Sequence, residues 1–164
     1  MKISILIFGL FCLCACFGKR PTLDTGHEGK PIPSLKLLML DSTTMIDTKT
    51  WRSGKPIVLI DISPYCPFCR AMTQKIIDEN KYLSDIQFIM LSSFPLNDLK
   101  NYNTEYKLEG YSNITVARDY DASFAHYFGS PGVPCLAIYS KDRLLKQVLI
   151  GKVNASLIKD IALE

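Results

Sequence analysis

Residues Ile57 to Cys69 read IVLIDISPYCPFC, an apolar run that ends in two cysteines with two residues between them. Ile57 to Ile62 does not alternate apolar with polar and is rich in β-branched side chains, the pattern of a central strand covered on both faces. Pro67, directly after Cys66, suits the first turn of a helix, where its missing N–H costs nothing. Phe68, Met72, Ile76 and Ile77 recur at helical spacing, so the sequence predicts a helix from Pro67 to about Lys81 with one buried face. A strand thus delivers a thiol pair to the start of a helix. Cysteines at i and i+3 can close a small disulfide ring, and the first sits where unpaired backbone N–H groups and the positive end of the helix dipole favour a thiolate. Cys66, at the leading edge of the helix, is the expected attacking sulfur, and Cys69, inside the first turn, the resolving one. The rival reading is half of a thiolate metal site, which needs two further ligands where only Cys135 is available; no metal is expected.

Outward from this stretch the chain reads as a single α/β domain. Upstream, Ile32 to Leu40 is an expected strand, Asp41 to Thr44 a turn and Met45-Ile46 a short partner, together a hairpin. Downstream follow a strand at Ile86 to Leu91, a helix from Leu96 to about Lys107 closed by Glu109-Gly110, and a short strand at Ile114 to Ala117. A short helix from Asp121 to Phe128 has an acidic start suited to an N-cap. After the breakers of Gly129 to Pro134 come strands at Cys135 to Tyr139 and Leu144 to Ile150, then a helix at Ala155 to Leu163. The order implies a central mixed sheet with helices on both faces. His126 has no cysteine or acid at ligand spacing and reads as a structural or surface histidine.

The 164 residues, 48% hydrophobic and 21% charged, fit one domain with a substantial core. A formal charge of +3 with both signs interspersed points to no nucleic-acid partner. Of the six cysteines, Cys12, Cys14 and Cys16 crowd the start of the chain. Met1-Lys2 is a short positive start, and Ile3 to Leu13 is apolar but too short to span a bilayer as a helix. Leu13-Cys-Ala-Cys16 then resembles a bacterial lipobox, with a large aliphatic residue, a small residue before the cysteine, and Cys16 as the lipidated position; Cys14 and Cys12 fit that pattern less well. An ordinary secretory signal or an uncleaved anchor is the alternative. On the lipobox reading, residues 1–15 are a lipoprotein signal peptide, 16–30 the lipidated cysteine and a flexible tether in which His27 has no specific role, and 31–164 the folded domain. Lipid at Cys16 would hold the protein to a bacterial membrane, facing the periplasm or exterior. A cysteine pair can persist there as a disulfide.

A strand followed by Cys66-Pro67-Phe68-Cys69 opening a helix, and Gly132-Val133-Pro134 opening a later strand, resembles the thioredoxin superfamily. The resemblance implies a cis peptide before Pro134 and a Val133-Pro134 loop lying against the thiol pair. The longer pattern is similar to anchored bacterial envelope proteins of the TlpA and ResA kind, with an N-terminal hairpin at Ile32 to Asp47 and an inserted strand and helix from Phe94 to Ala117. It implies a thiol-disulfide oxidoreductase with no dissociable cofactor, exchanging disulfides with protein thiol clients and an unidentified redox partner, and favouring reduction over oxidation. Tyr65, Pro67, Phe68, Val133 and Pro134 are then the expected substrate-binding residues. A peroxiredoxin would need Thr and Pro at fixed places before its cysteine, which Ser63 and Pro64 do not provide. A non-catalytic binding lipoprotein on the same fold is the other alternative.

The chain departs from that family in three places. Tyr65 stands where Trp usually precedes the first cysteine, and Pro67-Phe68 replaces Gly-Pro. Thioredoxins carry a buried acid one strand position before Asp61, where this chain has Ile60. Since a shift of one residue turns a side chain to the other face, Asp61 serves as the expected proton acceptor for Cys69 only if the loop from Ser63 to Tyr65 is effectively a residue shorter. Cys135 is read as a small buried core residue, with an alternative disulfide to Cys66 or Cys69 as the functional version.

Overall fold

The computed structural model describes residues 21–51 and 54–164; the signal-peptide and lipidation readings, Cys16 included, lie outside the described residues. The strand expected before the cysteine pair is β4, Ile57–Asp61, whose first four residues are buried as the unbroken apolar run requires. It runs parallel to β5, Gln87–Ser92, and antiparallel to β7, Cys135–Tyr139. Beyond β5 lie β6, Ile114–Asp119, and a hairpin of β2, Lys36–Met39, and β3, Met45–Asp47. Beyond β7 lie β8, Leu145–Ile150, and β1, Thr22–Leu23. The eight strands form one mixed sheet in the order β1-β8-β7-β4-β5-β6-β2-β3.

Each face of the sheet carries its own core. Val58, Ile60 and Ile62 join α1, Pro67–Asp78, α2, Leu96–Glu105, and α4, Ala155–Leu163, on one side. Ile57, Leu59, Leu91 and Cys135 join α3, Ser123–Phe128, on the other. The helices therefore cover both faces, as the element order implies. Along α1, Cys69, Met72 and Ile76 are at most 1% exposed. Burying an Ile or Met side chain contributes roughly 1.5–3 kcal/mol, and Ile76→Ala would forfeit ~2–5.

Four expectations are corrected. The tether does not extend to residue 30: from Pro21 the chain is built into the sheet. Ile150 N–H donates to the Pro21 carbonyl at 2.8 Å, Gly29 N–H donates to Leu145 at 2.8 Å, and Leu145 N–H donates to Lys30 at 2.9 Å. These are backbone bonds, which need no apolar side chains, so a polar composition concealed them. His27, assigned no role, stacks on Tyr127 with centroids 4.3 Å apart, and its Nε2 lies 3.1 Å from the Tyr127 carbonyl oxygen. The start of α3, whose N-cap residue is Ala122, is satisfied by Asp119 and not by Asp121: the two Asp119 carboxylate oxygens accept from Ser123 N–H at 3.0 Å and Phe124 N–H at 2.9 Å. β6 therefore runs two residues further than its apolar residues suggest. Lys107, left-handed at φ 51°, ends the α2 segment before Glu109-Gly110 is reached.

Candidate active site

β4 leads into the turn Ile62 to Tyr65, and α1 begins at once. Ser63 organises the turn: its carbonyl accepts from Cys66 N–H at 3.1 Å, its Oγ accepts from Tyr65 N–H at 3.3 Å, and its own N–H points at Cys69 Sγ at 3.5 Å. Cys66 is the N-cap residue of α1, extended at φ −77° and ψ 120°, with Pro67 in the first turn as its sequence position implied. A sulfur at this end of a helix meets the dipole's positive pole. Cys66 is half-buried, whereas Cys69, three residues on, is fully buried, so solvent and any incoming group meet Cys66 first.

The opposite wall comes from far along the chain. The peptide between Val133 and Pro134 is cis, and Cys66 Sγ lies 3.7 Å from the Val133 carbonyl oxygen, donating towards it as a thiol. Pro134 is buried. Burial pushes the Cys69 thiol up to about 12; the Ser63 N–H opposes this, while Cys66 and Asp61 add to it. Cys69 thus stays protonated until its proton has somewhere to go.

Asp61 sits directly across from Leu91 and Cys135 in the two ladders, so it belongs to the α3 face of the sheet while Cys69 belongs to the α1 face. The turn does not restore the register by shortening. Burial first, and Asp119 second, push the Asp61 carboxyl up to about 7. Its charge reaches both Cys69 and Cys135, and each thiol is raised in part by it. The strand end therefore places a titratable carboxyl within electrostatic range of Cys69 without packing the two side chains in one core. Cys135 is 0% exposed and shares the Asp61 face. Opposite faces of a sheet do not bring two Cβ atoms to the ~3.5–4.5 Å a disulfide needs, so the structure opposes a Cys69–Cys135 bridge.

Of the expected substrate-binding residues, Tyr65 is 67% and Phe68 63% exposed, Pro67 is exposed and Val133 half-buried. The insert adds groups that the sequence reading missed. Phe94 packs on Tyr65 with centroids 5.5 Å apart, and the Asp98 carboxylate beside the Tyr65 hydroxyl holds the phenol above its ordinary value. Arg70 Nη1 donates to the Pro64 carbonyl at 3.2 Å while the same guanidinium pairs with Glu105 and lies over Tyr106. The Tyr102 hydroxyl is 2.7 Å from Thr73 Oγ1 and 3.5 Å from the Cys69 carbonyl oxygen. The only hint in the sequence was the spacing of Tyr102, Glu105 and Tyr106, which places them on one helical face. Among the described residues no group of three or more His, Cys, Asp or Glu side chains could hold a metal ion.

No family model matches the chain. The thiol:disulfide interchange protein DsbE of Yersinia pestis is 37% identical over 71 residues, which cover 42% of this chain and 34% of that protein. The chain thus matches about a third of the length of that curated relative. Among solved structures, a secreted Mycobacterium tuberculosis disulfide oxidoreductase homologous to E. coli DsbE superposes with a TM-score of 0.63 at 20% identity, covering 79% of this chain and 95% of that one. The thioredoxin domain of a thiol-disulfide oxidoreductase from Bacteroides vulgatus gives 0.62 at 14% identity, covering 81% and 93%.

Proposed function

From the thioredoxin-like fold we propose that the chain is a thiol-disulfide oxidoreductase acting on protein thiols and disulfides through Cys66 and Cys69. One observation carries this reading: an accessible sulfur at the N-terminus of α1 faces the Val133 carbonyl ahead of cis-Pro134, with a second, fully buried thiol one turn behind it.

In the reducing direction, the Cys66 thiolate attacks one sulfur of a client disulfide. An S–S bond forms between Cys66 and the client, the client's own S–S bond breaks, and its departing thiolate takes a proton. Cys69 then loses its proton and attacks Cys66 Sγ, closing the Cys66–Cys69 disulfide and releasing the second client thiol. Two electrons pass from the protein dithiol to the client, and a separate dithiol donor protein must return them for turnover. Asp61, its carboxyl pushed up to about 7, lies on the other face of the sheet and acts on Cys69 through its charge, so the Cys69 proton passes to water or to the departing client thiolate. Reduction is taken as the direction; it is decided by how far the Cys66 thiolate is stabilised in the reduced protein, which the reduction potential measures. Tyr65, Pro67, Phe68, Val133 and Pro134 surround Cys66 and are the proposed client contacts. The lipobox-like Leu13 to Cys16 supports placement outside the cytoplasm with lipid at Cys16 as the anchor.

The test is insulin reduction with a dithiol donor in excess. Cys66→Ser is expected to abolish it, and Cys69→Ser to accumulate a mixed disulfide at Cys66. Full activity in Cys66→Ser would show that the pair only holds the loop. A reduction potential below about −250 mV supports the reducing direction, and one above about −150 mV reverses it.

A further inference from the structure

The turn before Cys66 is fastened to the inserted helix at both of that helix's ends. At its start, Phe94 lies against the Tyr65 ring, and Asp98 faces the Tyr65 hydroxyl. At its end, Glu105 and Tyr106 hold Arg70, which grips the Pro64 carbonyl. The Phe94 backbone is in turn fixed, its N–H donating to Ser92 Oγ at 3.3 Å. Tyr65 is nonetheless 67% exposed, and Phe68, also next to Cys66, 63%. The Tyr65 ring, held by Phe94 yet left open to water, has already given up rotational freedom. Contact with a partner then costs less than it would for free side chains.

Any client joined to Cys66 must run past this surface, because the mixed disulfide holds its chain within a few ångströms of the sulfur. From this we propose that the insert makes Tyr65 and Phe94 a specificity-determining ledge, which selects extended client segments carrying an aromatic or bulky aliphatic residue beside the attacked cysteine. The inference rests on the oxidoreductase reading. It adds a class of client and gives the insert a role: Phe94 and Asp98 set the angle of the ring on which the flanking residue stacks. Aromatic pairs of this kind contribute beyond the area they bury and depend on ring orientation.

Two disulfide-bonded peptides that differ only in having Phe or Gly beside the attacked cysteine provide the test. The second-order rate constant of the reduced protein with each is read in a single turnover, so no donor protein is needed. The protein is expected to react about tenfold faster with the Phe peptide. Phe94→Ala should bring the ratio of the two rates close to one, and Asp98→Asn should lower it about threefold. Tyr65→Ala, at an exposed position that the core does not depend on, should also bring it close to one. A ratio within twofold of unity in the unmodified protein would overturn the ledge, as would an unchanged ratio in Phe94→Ala and Tyr65→Ala. Failure of the unmodified protein to react with either peptide would instead remove the oxidoreductase reading and the ledge with it.

Discussion

Replacing Asp61 with Asn tests the electrostatics at the end of β4. In the folded chain its carboxyl holds a proton up to about pH 7, against an ordinary value of 3.8. Between those two values the folded state binds one proton that the unfolded state has released, so stability falls as pH rises, by up to ~1.4 kcal/mol per pH unit. Across about 3 units this reaches ~4 kcal/mol, and because Asp61 keeps some contact with water, about 2–4 kcal/mol is the range to expect. Asn cannot titrate, so the variant should lose this slope. Asp41 and Asp47 act with the opposite sign in a different window: hydrogen bonds led by Thr44 and Lys36 hold them at about 2, so their stabilisation is complete above 3.8 and is lost only as pH falls through about 2. Urea unfolding of both proteins at several pH values from 4.5 to 8 should show the variant gaining on the parent as pH rises, with the difference levelling off above about 7. Parallel profiles within about 0.5 kcal/mol would refute the argument that this carboxyl is forced to keep its proton. Iodoacetamide reaction across the same range adds a chemical readout, since a thiol pair that feels the Asp61 charge should change its pH profile in Asp61→Asn.

Tyr102→Phe removes the hydroxyl that pairs with Thr73 and leaves that buried Thr73 hydroxyl near only the Met90 sulfur, so denaturant unfolding should show a loss of ~1–3 kcal/mol. A loss below about 0.5 kcal/mol would mean that Thr73 is satisfied in another way. At the start of the chain, Cys16→Ala is expected to move the protein from the membrane to the soluble fraction of a cell lysate, and membrane retention equal to the parent's would remove the lipobox reading.

What the sequence made legible follows from which physical signals are local. The unbroken apolar run of β4, the proline after Cys66 and the spacing of Met72 and Ile76 each reflect burial or backbone chemistry within a few residues, and the strand, helix and thiol pair appear where they pointed. The face of Asp61 stayed open in the sequence, because alternation turned it away from Cys69 while the length of the turn from Ser63 to Tyr65 could have turned it back. The contacts that hold the turn were not legible. Arg70 meets Glu105, and Tyr65 meets Phe94, across sequence separations that no periodicity encodes. Asp119 was hidden for another reason: a carboxylate at a strand's end can cap the next helix across a short turn, and the nearer Asp121 offered a simpler reading. Polar residues from Pro21 to Lys30 looked unstructured because they contribute backbone bonds and one ring stack instead of apolar area.

That last segment has a consequence for how the protein keeps to itself. Through Pro21, Thr22, Leu23, Gly29, Lys30 and the bridge from Pro31 to Leu144, it occupies the outward hydrogen-bonding side of β8 at both of its ends. A chain cut back to residue 31 would leave a six-residue strand with open donors and acceptors at the edge of the sheet, a template on which another molecule could add its own strand. Among the described residues the outer margins of the sheet are two-residue β1 and three-residue β3, too short for such templating. The stretch that resembles a leash is thus a guard against self-association.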